Sequence, residues 1–233
     1  MKNLLHPSLT LLLILSMSLG HAQSSRKYEK VIGNGDITTQ TITTSGYDGI
    51  LSTGIIDVEL VNGAEGQINV TTDSNLQEYI EIEVKDNVLT IKTKDRTNLF
   101  TKKGVKVTVP VESISKIQLT GSGNLRSAAA IKANEFKLNV TGSGNTDLAI
   151  EASEVEARIA GSGDVKLSGT TSQLDLKISG SGNFHGFDLN ANQPRVIVSG
   201  SGEAQVVAER SIFAQVNGSG DVVYKGNPHS KRV

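Results

Sequence analysis

The chain has 233 residues, and its 23 lysines and arginines nearly balance 24 aspartates and glutamates, for a formal net charge of −1. This balance gives no whole-chain argument for binding to nucleic acid or to an anionic membrane. The absence of cysteine excludes disulfides, thiolate catalysis and cysteine-based zinc sites. Aromatic residues make up only 4%, so stacking platforms for bases or sugars are scarce.

Residues 1–22 predict a secretory signal peptide. Lys2 gives a basic start, an apolar run follows from Leu9 to Leu15, and Gly20-His21-Ala22 supplies small residues for cleavage. The run is too short to cross a bilayer, and no other segment is a candidate. We therefore expect an exported chain with no membrane span once the signal is removed. The periplasm, the outer cell surface and the extracellular space all stay open as its location.

Residues 23–45 are polar, and we expect a lead segment that ends in an edge strand around Ile37 to Ile42. From residue 46 to residue 110 the chain alternates in the manner of strands, without a glycine corner, at Ile56-Val58-Leu60, Ile68-Val70, Ile80-Ile82-Val84, Val88-Thr90-Lys92 and Gly104 to Pro110. This half is predicted to form irregular first coils or a cap, since terminal repeats must cover an open core.

Two local signals lie within that half. Asp86-Asn87 between two alternating segments indicates a hairpin turn. The segment from Asn75 to Tyr79 could form one helical turn, with Asp73 or Ser74 as the N-cap.

A corner of Gly-Ser-Gly followed by Asn, Asp or Glu recurs six times in the second half. The corners begin at Gly121, Gly142, Gly161, Gly180, Gly200 and Gly218, with spacings of 21, 19, 19, 20 and 18 residues. Apolar residues stand two positions before each corner: Leu119, Val140, Ile159, Ile178, Val198 and Val216. A period near 20 with two short strands per repeat is typical of a β-solenoid. We predict an all-β, parallel solenoid over residues 46–228, with the repeats at 111–228 and a tail at 229–233.

The polar residue that ends each corner has two interpretations. These residues are Asn124, Asn145, Asp164, Asn183, Glu203 and Asp221. Turn chemistry favours a column of corner residues, because Asn and Asp tolerate left-handed backbone and bond to it. The alternative is a ladder that binds cations or sugars, but the nine-residue GGxGxD pattern of calcium solenoids is missing.

A dense basic cluster precedes the repeats: Lys92, Lys94, Arg96, Lys102, Lys103 and Lys106. It could contact acidic glycans or phosphates, although solvated lysines that block edge pairing are the more usual explanation. His185 and His229, the histidines that follow the signal, have no metal-ligand spacing. We predict no catalytic residues, no cofactor and no metal site.

The residues together resemble a known family. Tyr47-Asp48-Gly49-Ile50, Ile56-Asp57-Val58-Glu59-Leu60, Leu89-Thr90-Ile91, the six corners and Tyr224-Lys225-Gly226-Asn227-Pro228 resemble the family called putative auto-transporter adhesin, head GIN domain, a domain of unknown function. The resemblance covers nearly all of the chain after the signal. It implies an exported β-solenoid protein, displayed at the cell surface, and it brings no catalytic or binding residues with it.

Three functions follow as hypotheses. The first is a non-enzymatic envelope or surface protein whose polar strand faces bind a glycan or a protein. The second is a scaffold that self-assembles through its solenoid, so an oligomer stays open. The third is a carbohydrate-active enzyme, because carboxylates could pair across a solenoid face, although no sequence signal selects a pair.

Overall fold

The computed structural model describes residues 28–232, so the predicted signal peptide lies outside the described residues. Almost every regular element is a strand. In chain order they are β1 (Glu29–Ile32), β2 (Ile37–Thr43), β3 (Gly49–Gly54), β4 (Ile56–Asn62), β5 (Gln67–Asp73), β6 (Ile80–Lys85), β7 (Val88–Thr93), β8 (Thr97–Phe100), β9 (Val105–Val111), β10 (Lys116–Gly121), β11 (Leu125–Ser127), β12 (Ile131–Gly142), β13 (Thr146–Gly161), β14 (Val165–Gly180), β15 (Phe184–Gly200), β16 (Glu203–Val207), β17 (Ser211–Gly218), β18 (Asp221–Lys225) and β19 (Ser230–Arg232).

The repeats form a parallel β-solenoid of about six turns, which confirms the predicted fold class. Each of the long strands β13 to β15 runs from one corner to the next and bends on the way. The corner glycines are paired in register from Gly121 through Gly142, Gly161, Gly180, Gly200 and Gly218. Equivalent residues of successive coils therefore lie directly above one another.

The predicted inward register is confirmed for the residues two and four positions before the first five corners; before the last corner Ala214 is buried but Val216 is 40% exposed. Ile159 and Ile178 are 2% and 1% exposed. The other buried members of the two columns are Ile117, Leu119, Leu138, Val140, Ala157, Leu176, Val196, Val198 and Ala214. These two columns of the core are therefore stacks of aliphatic side chains.

The first glycine of each corner is required by the close approach of the coil below. Gly161 has φ +128°. The carbonyl of Gly142 accepts hydrogen bonds from the N–H groups of Ser162 at 2.9 Å and Gly163 at 3.1 Å. A Cβ at Gly161 would lie 2.3 Å from that same carbonyl oxygen. Only glycine allows both the backbone conformation and the contact.

The expectation that residues 46–110 have no glycine corner was wrong. Gly54 has φ +102° and pairs with Gly121, so Gly54-Ile55-Ile56-Asp57 occupies the corner position one coil below the first Gly-Ser-Gly. Ile56 is fully buried where later corners have glycine. A side chain fits there because β7 ends at Thr93, and the chain forms β8 before β9 begins. No tight corner therefore presses on Ile56 from below.

The order of stacking also differs from the order of the chain. β3 pairs in parallel with β7 on one side and β10 on the other, and β4 pairs in parallel with β9 and β11. The coil built from β3 and β4 therefore lies between a later pair, β7 and β9, and the first repeat.

Antiparallel strands lie at this end of the core. β2 is the expected edge strand and pairs with β5, which pairs with β9, while β6 pairs with β7. Asp86 and Asn87, with φ of 51° and 60°, form the predicted hairpin turn. The predicted helical turn is a 3₁₀ helix at Ser74–Tyr79, but Asp73 makes no capping hydrogen bond to it. β1 and β8 form a separate two-stranded parallel sheet.

Candidate ligand-binding surface

The polar residues that end the corners form a hydrogen-bonded ladder. From Asp57 to Asn183, one side-chain oxygen of each residue accepts the backbone N–H of its counterpart in the next coil. The acceptor and donor pairs are Asp57 with Asn124 at 2.8 Å, Asn124 with Asn145 at 3.1 Å, Asn145 with Asp164, Asp164 with Asn183, and Asn183 with Glu203, the last three at 3.0 Å. One oxygen of each residue from Asp57 to Asn183, of the kind that a cation or sugar would need, is thus already bonded to backbone. This arrangement supports the interpretation as corner residues.

A shallow depression of about 520 Å³ does lie on this face. Besides ladder residues it is lined by Arg126, Asp147, Lys166 and His185. Across residues 28–232, no group of three histidines, aspartates or glutamates could hold a metal ion. His185 is exposed on β15, and exposed His229 lies beyond β18.

The basic cluster is divided between strands and partly neutralised. Lys92 pairs with Glu81 at 3.2 Å on the β6–β7 hairpin, and Lys106 on β9 pairs with Glu59 at 2.5 Å. Hydrogen bonding to Glu81 raises the pKa of Lys92, and the bond from Lys106 lowers the pKa of Glu59. These pairings favour solvated strands over one continuous anion-binding patch.

A groove of about 390 Å³ lies on the other face of the solenoid, where the strands bend. Phe136, Val155 and Leu174 line its floor, and their side chains are buried in the core beneath it. The bend places two consecutive residues outward, as at Ser153 and Glu154, and this creates an outer row of side chains beside the strand face.

The groove repeats the same two positions of the coil four times, on β12, β13, β14 and β15. Seven residues before the corner stand Glu135, Glu154, Gln173 and Gln193, and five before it stand Lys137, Glu156, Asp175 and Arg195. Arg158 and Lys177 complete the polar lining. Four acidic and four basic groups therefore line the groove, so its formal charge is zero.

Ion pairs within the groove hold several of these groups in place. Arg158 pairs with Glu156, and Lys177 pairs with Asp175 at 3.8 Å. The guanidinium of Arg195 lies over the ring of Phe213 at 4.4 Å. The amides of Gln173 and Gln193 lie among these groups and can both donate and accept hydrogen bonds.

Sequence reasoning did not select this groove. The polar residues seven positions before each corner were visible as a column in the aligned repeats. What the pattern did not show was the bend, which turns this column into one wall of a concavity.

Comparison with known proteins places the chain among adhesin-type domains. The family described as putative auto-transporter adhesin, head GIN domain, matches residues 46–228. The chain belongs to this family. No curated protein matches it.

Solved structures of similar proteins share the fold. A putative adhesin from Parabacteroides distasonis is 30% identical with a TM-score of 0.71, covering 88% of this chain and 96% of that one. A putative lipid binding protein from the same species is 26% identical with a TM-score of 0.72, covering 88% and 96%. A putative adhesin from Bacteroides fragilis is 23% identical with a TM-score of 0.83, covering 87% and 94%. Within residues 28–232, no helix is long and apolar enough to cross a membrane.

Proposed function

We propose that this head GIN domain protein is an exported, non-enzymatic binding module that acts at the cell surface, and that the groove across β12 to β15 binds a neutral, extended glycan. The observation that carries the proposal is the fourfold repetition of polar side chains along a concave face with no net charge. The adhesin-type family supports binding rather than catalysis.

The shape of the groove favours an extended ligand. Four stacked strands about 4.8 Å apart give a length of about 14 Å along the solenoid axis. Each coil offers a carboxylate or amide seven positions before the corner, in the outer row. It also offers a charged group five positions before the corner, in the inner row. A polymer with a short repeat can meet the same kind of hydrogen-bonding group at each step.

The charge of the groove favours a neutral ligand. Anionic polymers are bound by clusters of uncompensated lysine and arginine, whereas the basic groups here are matched one for one by acids. Carboxylates, amides and guanidinium groups together offer both donors and acceptors to hydroxyl groups. Affinity should therefore depend little on ionic strength.

The test is a panel of neutral and acidic polysaccharides, titrated into the protein and into the double variant Gln173→Ala/Gln193→Ala. We expect at least one neutral glycan to bind, with an affinity reduced about tenfold in the variant, which corresponds to about 1.4 kcal/mol. The matched control is Gln118→Ala/Asn139→Ala, which removes two amides outside the groove. A panel without a neutral ligand, or binding that is equal in both double variants, would refute the groove assignment. Release of reducing sugar from any member would instead support the carbohydrate-active enzyme.

A further inference from the structure

The last coil of the solenoid leaves two strand edges uncovered. β18 pairs with β16 on one side, and in the part of the chain that the structure describes no strand pairs with its other side. β19 pairs with Ser211, Ile212 and Phe213 alone, so residues 214–218 of β17 are also open. Open edges with unpaired backbone groups are templates for another strand.

Apolar side chains are exposed along both edges. Val216 is 40% exposed, although its counterpart one coil below, Val198, is fully buried. Val222 and Tyr224, which face the core from β18, are only partly buried. In addition, the glycine carbonyl that accepts two N–H groups at most earlier corners accepts none at Gly218 within the described residues. The end of the solenoid therefore has the unpaired backbone groups and the exposed apolar side chains to which one more layer of strands could bind.

The sequence of β18 is complementary to itself in one orientation. It reads Asp221-Val222-Val223-Tyr224-Lys225. In an antiparallel pair centred on Val223, Asp221 lies opposite Lys225 of a second copy on the outer face, and Val222 lies opposite Tyr224 toward the core. A parallel pair in register would instead place Asp221 beside Asp221, and like charges directly opposite are destabilising.

We propose that this end of the solenoid is the interface for a second copy of the chain, which adds its β18 antiparallel to β18 and continues the sheet. A twofold axis relates the copies, so each contributes the same patch. The Lys225 ammonium lies 3.9 Å from the centre of the Phe187 ring of its own chain. An exposed contact of this kind is weak, so Lys225 can turn to the incoming carboxylate.

The interface is small. It consists of about ten residues per copy on the two edges, against about 20–30 for a stable complex of standard size. We therefore expect a reversible dimer whose fraction rises with protein concentration.

Charge reversal tests this arrangement by sedimentation velocity on the whole chain. Asp221→Lys alone and Lys225→Asp alone should each be monomeric at concentrations where the unmodified protein dimerises, because each variant places like charges opposite one another. Mixing the two variants in equal amounts should restore the dimer, and so should the double reversal in one chain. Asp147→Lys, an exposed reversal in the middle of the same sheet, is the matched control and should dimerise normally.

Circular dichroism spectra of the variants serve to check that each one is folded. A monomer for the unmodified protein at every concentration would overturn the proposal. So would a dimer that persists in both single variants, or a mixture of the two that stays monomeric. Groove variants serve as an independent check, since they should leave dimerisation unchanged.

Discussion

Replacing Gly161 with alanine should cost about 2–6 kcal/mol of stability. Backbone strain for a non-glycine residue in this conformation is about 1–3 kcal/mol. The new Cβ would lie 2.3 Å from the carbonyl oxygen of Gly142, so the coils must separate there. That movement weakens the two hydrogen bonds that this oxygen accepts at 2.9 and 3.1 Å, at about 0.5–1.5 kcal/mol each.

Gly104→Ala separates the cost of backbone strain from the cost of the contact between coils. Gly104 has φ +79°, but a Cβ there would meet nothing within 4 Å. The free energy of unfolding, measured by urea titration and circular dichroism, should fall by about 1–3 kcal/mol more for Gly161→Ala than for Gly104→Ala. Equal losses would refute the reasoning that contact between coils, rather than φ alone, selects glycine at the corners.

Two further changes test the core and the cap. Ile178→Ala should cost about 2–5 kcal/mol by urea titration, as large-to-small core changes do, while Lys177→Ala on the outer face should stay within about 0.5 kcal/mol; a small loss for Ile178→Ala would place that column at the surface. Hydrogen bonds from Thr101 and from the backbone of Gly35 hold the pKa of Asp73 below its ordinary value. This stabilisation is complete above the unfolded pKa of about 4 and is lost as pH falls through the folded pKa. Asp73→Asn should therefore lower Tm at neutral pH and flatten the decline of Tm in acid, and an unchanged acid slope would contradict this role.

The repeats were predictable because equivalent positions of successive coils must meet the same packing and backbone requirements. The alternation that ends at Ile159 and Ile178, and the glycine that follows two positions later, reflect contacts with the coil directly above and below. The spacing of about 20 residues was therefore enough to predict the fold, the register and the structural role of the corner asparagines.

The first half was less predictable because its contacts join strands that are distant in sequence. Gly54 was missed as a corner because isoleucines occupy the places of serine and glycine, which the chain excursion after Thr93 permits. The placement of β3 between β7 and β10 cannot be read from the alternation of apolar and polar residues, because any neighbouring strands would leave the same face of β3 buried.

The candidate groove depends on a feature that side-chain alternation conceals. The residues seven positions before the corner read as ordinary exposed polar positions. Their convergence with the inner row arises from the bend near Ser153, where two outward residues follow one another. A repeat pattern gives the column, but the geometry of the bend makes it concave.

Accessibility on living cells tests most directly whether this module acts outside the cell. An antibody against residues 46–228 is applied to intact and to permeabilised cells that express the full chain. Strong labelling of intact cells, removed by external protease, is the predicted result. Labelling that requires permeabilisation would contradict a surface binding role and place the protein and its partners inside the envelope.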